Sequence, residues 1–244
     1  MSDARPAFEE LDYAVTQLGA LVLRRRRPPS MPDRDVYEVT LAGRFLMSSL
    51  VTASEEALAA RALAASGPGA FDGGLRVCVV GLGLGHTAAA ALDDPRVGRV
   101  EVVELLPEVV RWHEDRLVPL AGRLLDDPRC EIVVGDGFAR LGDPALAERF
   151  DAVMVDVDDA PDDLLQDSHA GFYAADGLRA ASRALVPGGV LAVWTARPPI
   201  EVLAERFAET FDAAEVAPIR FHNPLLDVDD VNAVYLGRRR AVGR

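Results

Sequence analysis

The chain has no lysine, two cysteines, few aromatic residues, and no apolar run approaching the ~18 to 20 residues that cross a bilayer. Each shortage excludes something. Without lysine there is no Tyr-x-x-x-Lys pair, and no histidine-based proton donor replaces it, so nicotinamide-dependent oxidoreduction fits poorly. Cys78 and Cys130 lack a CxxC spacing and supply neither a metal site nor a disulfide framework; both read as buried, inert thiols in apolar strands. The opening stretch, MSDARPAFEELD, lacks the basic-then-apolar plan of a secretory signal, so the expected location is the cytoplasm. Positive charge is short too. The net charge of −13 argues against nucleic acid; it suits a cationic small substrate, and equally an acidic surface without functional meaning.

Half of the 244 residues are hydrophobic, enough for one α/β domain with an accessory segment. Residues 1–73 read as a small β-rich segment: a strand ending in a solvated RRRR run at 24–27, a hairpin around Ala42-Gly43, and a helix over 54–65 capped by Ser54. The glycine-rich SGPGAFDGG then breaks the pattern and leads into a second unit, 74–244. There, expected strands at 75–81, 99–104, 130–134, 151–156 and 188–195 alternate with helices at 86–93, 107–125, 139–149, 172–185 and 199–210. Such alternation specifies βαβ units and a parallel sheet covered on both faces. AAEVAPIRF and VNAVYLGRR follow with no helix between them, which predicts an antiparallel hairpin at the sheet edge. The expected fold is therefore a Rossmann-like α/β sheet of the methyltransferase type. GRRRAVGR at the carboxyl terminus reads as a frayed basic tail.

The run RVCVVGLGLGHTAAAAL places Gly81, Gly83 and Gly85 between a buried strand and a helix. Glycine permits positive φ and close approach of a ligand to the main chain, and the helix start offers free amides. Gly83-x-Gly85-x-x-Ala88 also satisfies the dinucleotide fingerprint, so the loop alone leaves the ligand open. Glu104, ending VEVVEL with Leu105 beside it, is placed to accept ribose hydroxyl hydrogens. Asp136-Gly137 ends the third strand and suits the adenine amino group, while Asp156, Asp158 and Asp159 follow the fourth. Four successive strand ends thus carry groups suited to an adenosyl ligand. His86 reads as a polar helix start and His113, beside Trp112, as a packing or solvent-facing residue. His169 and Tyr173 are candidates for an acceptor pocket.

On VYEVTLAGRFLMSS, VVGLGLG, VVELLPEVV, VVGDGFARL, FDAVMVDVDDAP and LVPGGVLAVW, the chain resembles the spermidine synthase (polyamine aminopropyltransferase) family, within the class I S-adenosylmethionine-dependent methyltransferase fold. The resemblance implies a nucleoside pocket at Gly81, Gly83 and Gly85, ribose at Glu104, and adenine at Asp136 with Gly137. Asp156 and Asp159 would be the two aspartates that bind the donor amine and orient the attacking amine. It also implies a homodimer. Two departures stand out. Leu84 occupies the place of the glycine-loop aspartate that holds the donor's amino group. The stretch LMSSLVTASEEALAARAL has none of the Gln, Tyr and His that shape the polyamine tunnel. The expected function is accordingly methyl transfer from S-adenosylmethionine to a small acceptor, with Asp156 or Asp159 orienting the nucleophile and taking its proton. The alternatives are aminopropyl transfer from decarboxylated S-adenosylmethionine to a polyamine, which the six aspartates between 156 and 167 would attract, and a non-catalytic nucleoside-binding protein. No metal is expected.

Overall fold

Polar and apolar residues alternate through four short amino-terminal segments, and these pair only with one another. In a computed structural model, which describes residues 6–240, strands β1 (Phe8–Thr16), β2 (Gly19–Arg26), β3 (Val36–Leu41) and β4 (Arg44–Ser48) form an antiparallel meander. Ala42 and Gly43, at φ 50° and 78°, make the expected tight turn. Strand β1 was not legible, because a bulge between Glu10 and Asp12 breaks its alternation. The arginine run is not solvated. Arg25 is 5% exposed and pairs with Glu9 at 2.7 Å, and Arg26 pairs with Glu38 at 2.7 Å. Acids on the two flanking strands turn it into a cross-strand ionic seam.

Helix α1 (Ala53–Ala65) follows, and it buries Leu58, Ala59, Ala62 and Leu63 in the same core as Val77 and Val79. Ser54 does not cap it. Thr52 holds the cap position, and Ser54 lies one residue inside the helix, buried, accepting a hydrogen bond from Asn232 and donating one to Glu55.

The remaining elements are β5 (Leu75–Val80), α2 (His86–Leu92), β6 (Val97–Glu104), α3 (Pro107–Glu114), α4 (Ala121–Leu125), β7 (Cys130–Val134) and α5 (Gly137–Leu141). After them come β8 (Phe150–Val155), α6 (Ala170–Tyr173), α7 (Ala175–Ser182), β9 (Leu185–Thr195), α8 (Glu201–Thr210), β10 (Asp212–Asn223) and β11 (Val228–Arg238). The seven strands lie in the order β10-β11-β9-β8-β5-β6-β7. β5 to β9 are parallel, and β11 is antiparallel to both neighbours, as the closing hairpin predicts. Every residue of β8 is buried, the near-continuous apolar pattern of a strand covered on both faces.

Three expected helices are broken. The stretch 107–125 splits into α3 and α4 because Arg116 turns left-handed, at φ 54°, just before Pro119. The stretch 172–185 splits at Ala174, whose ψ of 156° is extended. Helix α5 stops at Leu141, and Asp143-Pro144 starts a separate short turn. Cys78 is buried as expected, whereas Cys130 is half-buried. Of the carboxyl-terminal tail, residues 241–244 lie outside the described residues, while Arg238 ends β11. Among the described residues, no helix is long and apolar enough to cross a membrane.

Register decides where the ligand-facing groups meet. Val80 pairs with Val103 on one side and Val155 on the other, and Glu104 pairs with Val134. The carboxyl ends of β5, β6, β7 and β8 are therefore level. Gly81, Leu105, Gly135 and Asp156 leave the sheet side by side. At the opposite end Asp151, 3% exposed, accepts backbone N–H bonds from Ala70 at 2.7 Å and Arg76 at 2.8 Å, which fixes the approach to β5. Asp151→Ala strands both donors and is expected to cost about 2–4 kcal/mol, read as a lower urea midpoint at unchanged slope.

Candidate active site

The glycine loop is shaped by what presses on it. Gly81 has φ 97°, and a Cβ there would run into the carbonyl oxygen of Asp156. Gly83, at φ 49°, faces the Met47 sulfur of β4, which a Cβ would approach to 2.8 Å. Gly85 is the left-handed residue that opens α2. Behind the loop, His113 is fully buried, and its Nε2 lies 3.0 Å from the Gly83 carbonyl oxygen. This histidine braces the loop instead of packing passively or facing solvent, and burial lowers its pKa.

Glu104 closes the loop from the side. Its carboxylate accepts the backbone N–H of Leu82 and that of Leu106, each at 2.9 Å. Burial raises its pKa, and those amides oppose the rise. Its oxygens are acceptors, the kind of group to which two vicinal hydroxyls donate. Glu104 lines a slot of about 80 Å³ together with Gly81, Gly83, Leu105, Asp136 and Gly137. Leu41 and Met47 of the small sheet form the opposite wall, so the slot lies between the two sheets. Asp136 also caps α5, one oxygen accepting from Phe138 at 2.9 Å and Ala139 at 3.0 Å. Both readings of this residue hold: one oxygen is committed to the cap, and the side chain borders the slot. The residues present fit an adenosyl group: Glu104, Asp136 and Asp156 supply acidic side chains to an otherwise mostly apolar cleft.

At Gly81, Gly83 and Asp156 the slot opens into a wider pocket of about 610 Å³. Its wall carries carboxyl groups from four places: Glu38, Glu55, Asp156 with Asp159, and Asp230. The Thr87 hydroxyl donates to Asp156 at 2.6 Å, and burial raises the Asp156 pKa. Asp159 is half-buried. Burial and the neighbouring Asp163 raise its pKa against the pull of Arg44, which lies 3.5 Å away.

The acidic loop is not an open rim. Arg44 also binds Asp163 at 2.8 Å, Arg197 holds Asp162 and Asp163, and Asp158 is fully buried. Asp158 takes the His169 Nδ1–H at 2.8 Å, the Tyr173 hydroxyl at 3.1 Å and the Leu165 amide at 2.7 Å. His169 and Tyr173 are therefore internal fasteners. His169 borders the narrow slot, edge-on to Phe138 at 4.6 Å.

Sequence reasoning missed Phe138, Met47 and Glu55. Phe138 directly follows Asp136-Gly137 and was within reach. Met47 and Glu55 come from the amino-terminal segment, whose docking over the large sheet has no local signature. His86 opens α2 as expected and borders the wide pocket, with its pKa lowered by burial.

A family model described as "Spermine/spermidine synthase domain" matches residues 58–208, more than half of the chain. The chain belongs to the spermine/spermidine synthase family. Polyamine aminopropyltransferases of Mycobacterium tuberculosis, Thermoanaerobacter sp. and Nitrosomonas europaea are 33%, 31% and 34% identical over 132, 122 and 120 residues. These alignments cover 54%, 50% and 49% of this chain but 24%, 41% and 35% of the relatives, so the match spans less than half of their length. Two spermidine synthase structures superpose on 96% of the chain and 74% of their own at 16% identity. One, bound to the transition-state analogue AdoDATO, has a TM-score of 0.73; the other, from Thermotoga maritima, has 0.72. The expectation of methyl transfer from S-adenosylmethionine is thereby corrected: the matching family and the relatives are aminopropyltransferases. Leu84 and the absent Tyr and His are departures within that family and do not place the chain in another reaction class.

Gly81→Ala would place a β-carbon in left-handed backbone against the end of β8. It is expected to cost at least about 2 kcal/mol, seen as a lower calorimetric melting temperature.

Proposed function

We propose that the protein transfers the aminopropyl group of decarboxylated S-adenosylmethionine to a small amine. The observation that carries this reading is the shared boundary of the two cavities: Gly81, Gly83 and Asp156 border both the narrow slot and the wide acidic pocket. A sulfonium whose adenosyl part fills the slot has its sulfur at that boundary, and an amine in the acidic pocket meets its methylene carbon from the other side. The amine nitrogen bonds to that carbon, the carbon–sulfur bond breaks toward sulfur, and 5′-methylthioadenosine leaves. The new ammonium sheds one proton. Sulfur already activates the carbon, so the protein's work is to align the nucleophile and accept the proton.

In this reading Glu104 holds the ribose and Asp136 with Gly137 the adenine end. Asp156 lies beside the sulfonium. Asp159 orients the amine and takes its proton, a task that its raised pKa favours. Arg44 keeps the Asp159 side chain in place. The acidic lining also selects cations as acceptors.

Incubation of the full chain with decarboxylated S-adenosylmethionine and an aliphatic diamine is expected to release 5′-methylthioadenosine, followed by mass spectrometry. S-adenosylmethionine should yield no methylated amine; the opposite donor preference overturns the proposal. Asp159→Ala is expected to lower kcat by about 10²–10⁴-fold while calorimetric affinity for 5′-methylthioadenosine stays within a few-fold. Below the Asp159 pKa the base is protonated, so kcat should fall with falling pH in the wild type, and that limb should vanish in the variant.

A further inference from the structure

Two carboxyl groups border the wide pocket near enough for the charge of one to raise the pKa of the other, and no cation is paired with either among the described residues. Glu55 sits in the first turn of α1, and Asp156 follows β8. Their hydrogen-bond partners are neutral: the Ser54 hydroxyl donates to Glu55 at 2.8 Å and the Thr87 hydroxyl to Asp156 at 2.6 Å. Among the described residues neither carboxyl forms an ion pair. The arginines at this end are already engaged, Arg26 with Glu38, Arg44 with Asp159 and Asp163, and Arg197 with Asp162 and Asp163.

Burial, then the charge of Asp156, push the Glu55 carboxyl up to about 7. Two half-buried like charges without a counter-ion are unfavourable, and an ammonium placed beside both relieves the repulsion and the desolvation. The glycine loop itself offers nothing for such a cation. Leu84, at the place where an acidic side chain would project, is 3% exposed and packs in the main core, while Glu55 borders the same pocket from the opposite element.

We propose that Glu55 and Asp156 together receive the primary ammonium of the donor's three-carbon arm, Glu55 supplying from α1 the carboxylate that position 84 lacks. This assignment rests on the aminopropyl-transfer reading. An arm attached to sulfur in the slot must cross the boundary at Gly81, Gly83 and Asp156, and its free end then enters the pocket that Glu55 borders. The acceptor approaches from the outer part of that pocket, where Asp159 and Asp230 stand. Glu55 is thus a binding residue for the donor, recruited from helix α1 instead of the loop.

The other groups bordering the same pocket or adjoining it are His86 of α2, Asp159 of the loop after β8, Asp230 and Asn232 of β11, the Arg26–Glu38 pair of β2 and β3, and Glu56 of α1 itself. Of the carboxyls among them, only Glu38 has an arginine to itself. Below about pH 7 Glu55 carries a proton that the arriving ammonium displaces, so affinity for a cationic donor rises with pH and levels off above that value. A nucleoside lacking the ammonium has no such dependence.

The test is calorimetric titration of the full chain with decarboxylated S-adenosylmethionine and, separately, 5′-methylthioadenosine. It is run at about pH 6 and about pH 8, on the wild type and on Glu55→Gln. The wild type should bind the cationic nucleoside more tightly, and the margin should widen at the higher pH. Glu55→Gln should weaken that nucleoside by about tenfold or more, flatten its pH dependence, and leave 5′-methylthioadenosine unchanged. Equal weakening of both nucleosides, or an unaltered margin with only the diamine KM raised, overturns the assignment. If the variant does not fold, the wild-type comparison decides alone: a pH-independent margin between the two nucleosides overturns it. Failure of the wild type to bind either nucleoside would instead overturn the transfer reading beneath it.

Discussion

A single buried carboxylate organises the mouth of the large sheet. Glu104 ends β6, and its two oxygens gather an amide from the glycine loop and an amide from the start of α3. Backbone N–H groups turned inward at that depth need acceptors, and no water-filled route is required to supply them. Once Glu104 has fixed Leu82, the loop must turn left-handed at Gly81, and the space a side chain would fill is taken by the Asp156 carbonyl. Three strand ends are thereby fastened to one another. The groups that border the slot share a frame because β5, β6 and β8 are in step, and His113 braces that frame from behind.

How far the sequence reveals this depends on the range of the interaction. Strand–helix alternation, the glycine loop, Glu104 and the closing hairpin follow from local periodicity and turn chemistry, and the large sheet matches them. The expected helices are longer than the observed ones at Arg116, where Pro119 is the local stop signal, and at Ala174, whose residue type announces none. The arginine run looked solvated because the acids that pair with it lie on other strands, at Glu9 and Glu38. Glu55 looked like a first-turn acid favouring the helix dipole, which it is. Its position opposite Asp156 arises only when α1 is laid across the sheet. Long-range docking, not local pattern, was the unreadable part.

The same distinction explains why the reaction class was misjudged. A glycine loop and a ribose-binding acid select a nucleoside, and nearly identical machinery serves a methyl donor or an aminopropyl donor. What separates the two is not in the loop; here the wide acidic pocket beside it is built from α1, the loop after β8, and the β10–β11 hairpin. Leu84 removes one acidic group from the loop, yet the cavity as a whole remains rich in carboxyls. Loss of a motif residue is weak evidence when a neighbouring element can deliver the same charge.

The narrow slot has Leu41 and Met47 on one wall and Glu104 and Asp136 on the other, while Asp12 of β1 takes the Trp112 indole N–H of α3 at 2.7 Å. Whatever fills the slot therefore acts as a wedge between two independently hydrogen-bonded sheets. At a hundredfold excess over its Kd such an occupant adds about 2.7 kcal/mol to the folded state. That increment resists parting of the small sheet from the large one, so a filled slot keeps the amino-terminal strands docked.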